Sequence, residues 1–170
     1  MREYSGLKLD LTNMSAGSYL ETGKRRLDEA DELVQRGHFA LGGYVAGLAA
    51  ECILSGWLTI AGKPIPKTHS FYQKLKDNPL LEKERNEKLK RESRYRINSI
   101  HRRWNNLLRY APESTIETAY KTQHCYKDTD GTPLKGNLAR ANAVVLIREV
   151  GWLVGRSEAK WKILKKKSKI

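Results

Sequence analysis

FALGGYVAGLAAECILSGWLTIAG, residues 39–62, is almost wholly apolar and carries one charge, Glu51, near its middle. It either crosses a membrane or forms the centre of a helical core. A bilayer core asks for roughly 20 apolar residues, so the stretch is long enough to span. Gly43 and Gly47 also have the GxxxG spacing that draws membrane helices together. Three features favour the core. A carboxylate at mid-bilayer costs about 2.5–3.5 kcal/mol even on the lenient insertion scale. The stretch is dense in Gly, Ala and Ser, where a lone anchor is rich in Leu and Ile. The rest of the chain supplies amphipathic segments that need an apolar partner. Residues 39–62 are therefore read as a buried core helix, with no membrane involved.

Upstream, Ser18-Tyr19-Leu20-Glu21 has the spacing of a capping box, which predicts a helix starting near Ser18. Leu20, Leu27, Ala30 and Val34 recur at helical spacing, and Gly37 supplies a stop. So short a link to the apolar helix predicts an antiparallel pair. That second helix ends at Gly62, before Lys63-Pro64-Ile65-Pro66-Lys67, whose prolines break any helix. A short helix is expected over Ser70–Lys76. Asn78-Pro79 reads as an N-cap and first-turn proline of a long helix running towards Tyr110. The first half of that helix is nearly all charged. In its second half Ile97, Ile100, Trp104, Leu107 and Leu108 share a stripe.

Residues 111–135 break the periodicity and read as an irregular loop. Within it Asp128–Pro133 forms a turn, the tip of a hairpin. The last helix is expected from about Asn137 to Arg156, with Val144, Val145, Ile147, Val150 and Leu153 apolar, followed by a basic tail. The expected architecture is an all-α antiparallel bundle of four to five helices. It makes one domain over residues 1–170, with its core at about 15–156 and the tail at 157–170.

A formal net charge of +13 favours phosphate-bearing partners, by steering and by counterion release. Two cysteines, Cys52 and Cys125, build neither a disulfide framework nor a zinc site. The first residues, MREYSGLKLD, lack the apolar run of a secretion signal, so a cytoplasmic setting is expected. His38, His69 and His124 have no neighbours at metal-ligand spacing. No phosphate-binding Gly-rich loop, HExxH or nucleophile elbow is present, and no metal or cofactor is expected.

Three elements in order carry a resemblance. They are the pair DEADELVQRGHFALGGYVAGLAAECILSGWL, then His69-Ser70 with Leu75, then Trp104-Asn105-Asn106-Leu107-Leu108-Arg109-Tyr110. This order resembles the HEPN superfamily of helical bundles over roughly residues 19–156, with His-Ser where the family commonly has His-Asp. The resemblance implies a bundle that is usually a homodimer. Many members are metal-independent ribonucleases of toxin–antitoxin or defence systems. Others are non-catalytic RNA- or nucleotide-binding modules that act beside an antitoxin or a nucleotidyltransferase.

The ribonuclease members carry Arg, four to six residues, then His. His101 meets this spacing with Arg96 and with Arg94. At about 100° per residue, Arg94 lies roughly 20° from His101 and Arg96 roughly 140° away. Arg94, Asn98, His101 and Asn105 thus share one polar strip, with Arg102, Arg103 and Arg109 as further phosphate-binding candidates. In a ribonuclease His101 would act as acid or base and the arginine would hold the scissile phosphate. The ordinary alternative is a solvated basic strip, since six of the nineteen residues from Arg91 to Arg109 are Arg. Arg109-Tyr110 resembles the Arg-Tyr of non-catalytic members, with Tyr110 expected to pack at the helix end. Glu51, if buried, needs a cationic partner or a proton, and Arg109 or Arg94 is expected within reach.

Overall fold

The computed structural model describes residues 14–66, 71–75, 78–79 and 86–167. Among these the chain is all helical. Six α-helices are present: α1 (Ala16–Gln35), α2 (Phe39–Ile60), α3 (Phe71–Leu75), α4 (Glu87–Arg103), α5 (Glu113–Thr122) and α6 (Leu138–Lys167), with a 3-10 turn at Asn106–Arg109 between α4 and α5. His69-Ser70 lies outside the described residues.

The apolar stretch is the central helix. α2 is long and apolar enough to cross a membrane, and 72 % of its apolar window is buried inside the protein, which is the arrangement of a core helix. Small residues explain how tightly α1 approaches it. A Cβ on Gly42 would stand 2.6 Å from Val34, and one on Gly23 would stand 2.7 Å from Ile53. α6 covers another side of α2, where the indole Nε1 of Trp57 donates to Ser157 Oγ at 2.9 Å.

Helix ends follow the chemistry of caps, with one correction. α1 is capped by Ser15, whose hydroxyl accepts from the Ser18 amide at 3.0 Å, and not by Ser18 itself. At the other end His38 N–H bonds Leu33 O and Gly37 N–H bonds Val34 O, while Gly37 takes a φ of 86°. This is the paired closure that a left-handed glycine allows. Gly62, at φ 65°, closes α2 the same way on Leu58 and Thr59.

Three expectations are revised. The long helix does not reach Tyr110; α4 begins at the Asn86 cap and stops at Arg103. Trp104 and Asn105 are extended, and the Asn105 side chain accepts from Leu107 N–H at 2.8 Å to start the 3-10 turn. Trp104 and Leu108 are still buried, but Leu107 is exposed. Residues 111–135 are not wholly irregular, because α5 forms there, with Ile116 and Tyr120 buried against the core. The hairpin tip is present, with Lys127 bridged antiparallel to Pro133 and Gly131 at φ 88°. Finally, the helical backbone runs on into the basic tail, to Lys167. At about 1.5 Å per residue, α6 is about 45 Å long.

Candidate nucleic-acid interface

α4 presents two faces with different duties. Ile97 and Ile100 are buried against the core. Arg94, Asn98 and His101 are exposed along one side of α4, as the helical spacing requires. Asn105 is exposed too, but it lies past the end of the helix in extended backbone, so the expected four-residue helical strip stops at His101. Among the described residues Arg94 forms no ion pair. The His101 ring stacks on Phe71 of α3, with centroids 6.4 Å apart and planes 16° from parallel, so its orientation is set from one side.

The remaining arginines divide sharply. Arg96 is a structural residue. Its guanidinium donates to Glu92 at 3.0 Å and to the fully buried Glu149 of α6 at 2.9 Å, and it lies 5.1 Å from the Trp152 ring centroid. The geometry therefore separates it from His101 and leaves Arg94 as the arginine on the histidine's face. Arg103 is buried, bonding Ser99 and the Lys127 carbonyl, and burial lowers its pKa from the ordinary value. It is not available as a phosphate ligand. Arg102 is exposed, although Nη2 is steered by the Gln123 carbonyl at 2.7 Å. Arg102 and Arg103 together fasten the α5–hairpin segment to the end of α4.

Arg109 projects from the 3-10 turn. Nη1 donates to Tyr44 Oη at 2.6 Å, and the guanidinium carbon lies 5.1 Å from the Tyr44 ring centroid and 4.6 Å from that of Tyr110. Tyr110 itself is 72 % exposed, so it does not pack into the helix end as expected. Glu51 also has a different partner from those expected. Lys74 Nζ of α3 stands 3.7 Å from its Oε1, and both side chains are buried. Short α3 is thus tied to the core helix by a charge pair.

One cluster has no counterpart in the sequence reading. Glu149 is 0 % exposed. One oxygen accepts from Arg96, and the other from Thr129 at 3.0 Å and Arg148 at 2.7 Å. Arg148 reaches on to the Asp128 carboxylate of the hairpin turn. The signal was present as a lone Glu among Val144, Val145, Ile147, Val150 and Leu153, the same pattern that singled out Glu51 in α2.

Arg148 holds the Asp128 carboxyl well below its ordinary range, the principal cause being their hydrogen bonds. A depressed carboxyl contributes stability above its unfolded pKa of about 3.9 and loses it as pH falls. Asp128→Asn is therefore expected to melt below wild type at pH 7, with the gap constant down to about pH 4 and narrowing only below it, towards about pH 2. Thermal denaturation followed across that range checks it; a gap independent of pH would remove the ionic account.

A family model of the HEPN domain matches residues 16–132, from the first residue of α1 through the hairpin turn. No curated protein and no solved structure matches the chain.

Proposed function

The chain belongs to the HEPN domain family, and on that premise we propose that it is a non-catalytic RNA- or nucleotide-binding module working through the exposed face of α4. The observation that carries this reading is the exposed row Arg94–Asn98–His101 on α4, with exposed Asn105 just past the end of the helix, on a chain of net charge +13. Arg102 and Arg109 extend it. Arginine suits the role because its planar donors match phosphate oxygens, and released counterions drive binding. The wider proposal is a homodimer, as members of the family often are, with an antitoxin or a nucleotidyltransferase as protein partner and a cytoplasmic setting.

A second reading has one observation in its favour. Arg94 and His101 share an exposed face at the six-residue spacing of the ribonuclease members. In such an enzyme a histidine moves the 2′-hydroxyl or leaving-group proton and the arginine stabilises charge on the phosphate.

Incubation of a labelled RNA with the full chain in EDTA separates the two. The binding module is expected to retain the strand and leave it intact, with His101→Ala binding within a few-fold of wild type. Cleavage that vanishes in both His101→Ala and Arg94→Ala would replace it with the ribonuclease reading.

A further inference from the structure

We infer that the 3-10 turn Asn106–Arg109 and the Tyr110 that closes it form a base-stacking platform, on which Tyr110 receives an unpaired base of single-stranded RNA. The inference rests on the binding role of the α4 strip and names the form of RNA it takes.

Tyr110 is the most exposed large hydrophobic side chain among the described residues, and Leu107 beside it is 64 % exposed. An exposed tyrosine is ordinary; a tyrosine held in place on one side and open on the other is less so. The Arg109 guanidinium lies against the Tyr110 ring and is fixed in turn by Tyr44, which is buried on α2. The backbone beneath is also fixed. Asn105 caps the turn, Tyr110 N–H bonds Leu107 O at 3.0 Å, and Pro112 follows two residues later. The backbone is thus held and the ring has one neighbour that orients it, which lowers the cost of stacking a ligand on its other face.

A nucleobase laid on the open face would continue a stack of base, Tyr110, Arg109 and Tyr44. The guanidinium carries five N–H donors, and the Tyr44 hydroxyl occupies one of its nitrogens. Its charge stays beside the ligand for the adjoining phosphate. The platform adjoins the strip. Tyr44 accepts the Trp104 indole N–H on its carbonyl and the Arg109 guanidinium on its hydroxyl, so one α2 residue locates both the end of α4 and the turn. Bases in a duplex are already stacked and offer no free face, whereas single strands do.

The test compares wild type, Tyr110→Phe and Tyr110→Ala of the full chain, by fluorescence anisotropy, on a labelled single-stranded RNA and on the same sequence as a duplex. Loss of one base stacked on an aromatic ring is expected to weaken single-strand binding roughly tenfold in Tyr110→Ala. Duplex binding and melting temperature should stay at wild-type values, and Tyr110→Phe should bind as wild type. Single-strand affinity unchanged in Tyr110→Ala but lost in Arg94→Ala would overturn the platform and leave the strip standing. Equal losses on single strand and duplex would also overturn it, because Tyr110 would then act only through Arg109. A wild type that binds neither RNA removes both the platform and the binding role of α4.

Discussion

Gly47→Ala is expected to lower the melting temperature by several degrees, although alanine is the better helix former. A Cβ at this position would stand 1.9 Å from Cδ1 and Nε1 of the Trp104 ring. The indole has nowhere to retreat at low cost. It is buried, its N–H donates to the Tyr44 carbonyl at 3.1 Å, and Phe71 packs on it with centroids 6.0 Å apart. Overpacking of this kind costs about 1–3 kcal/mol. A displaced hydrogen bond adds about 1 kcal/mol, and the helix propensity of alanine returns about 1 kcal/mol. The net loss is about 1–3 kcal/mol, or roughly 3–10 °C for a domain of this size. Gly155→Ala is the control. Nothing lies within 4 Å of its Cβ position on α6, so the same exchange there is expected to be neutral or stabilising. Equal effects at the two sites would mean that Trp104 does not seat on Gly47. The GxxxG pair that suggested membrane packing is therefore used inside the fold, with Gly43 facing Ala143 and Leu146.

The second large effect lies at Glu149. Its carboxylate is wholly buried and takes donors from Arg96, Arg148 and Thr129. Glu149→Ala would leave the half-buried Arg96 without its buried counter-charge. Breaking one side of a fully buried pair costs about 3–5 kcal/mol, because the surviving charge stays desolvated. Here Arg96 keeps Glu92 and Arg148 keeps Asp128, so the expected loss is about 2–3 kcal/mol. Replacing both partners with apolar residues is far milder. The double variant Arg96→Met/Glu149→Leu is therefore expected to recover most of the melting temperature lost in Glu149→Ala. Arg148 keeps Asp128 in that background. A Glu149→Ala protein within about 1 kcal/mol of wild type would show that the network contributes little. The same pair bears on function. If Arg96 is structural, its loss lowers stability and leaves RNA binding by the folded fraction intact.

The frame of the fold was legible in particular residues. Gly37 and Gly62 end their helices in the left-handed conformation, and the short link after Gly37 announced the helix pair whose close approach Gly23 and Gly42 allow. The break after Arg103 was harder. A helical stripe continues numerically through Trp104, Leu107 and Leu108, but two successive asparagines compete for the backbone, and Asn105 caps a new turn. α5 was missed because ESTIETAYKT is rich in Thr, a middling helix former. Burial of Ile116 and Tyr120, with the Tyr120 hydroxyl on the Arg103 carbonyl, settles it. That is tertiary packing, invisible to local pattern.

The site divides the same way. Spacing placed Arg94, Asn98 and His101 on an exposed side of α4, but it carried Asn105 onto a helix that ends at Arg103. It could not show that Arg96 and Arg103 are spent on Glu149 and the Lys127 carbonyl, because those partners lie 53 and 24 residues away; only Ser99, one helical turn before Arg103, is local. Nor could it give Glu51 its partner. Lys74 lies on a five-residue helix whose position depends on the bundle.

The claim that the exposed face of α4 binds RNA is tested most directly by the salt dependence of single-stranded RNA binding, from about 50 to about 200 mM salt. Wild type is expected to bind with affinity falling steeply as salt rises. Each phosphate contact removed from a single strand flattens the logarithmic slope by about 0.7. Arg94→Ala/Arg102→Ala should therefore bind more weakly, with a slope shallower by about 1.4. A double variant with unchanged affinity and slope would place the binding surface elsewhere, and a wild type that binds no RNA at any salt would contradict the account altogether.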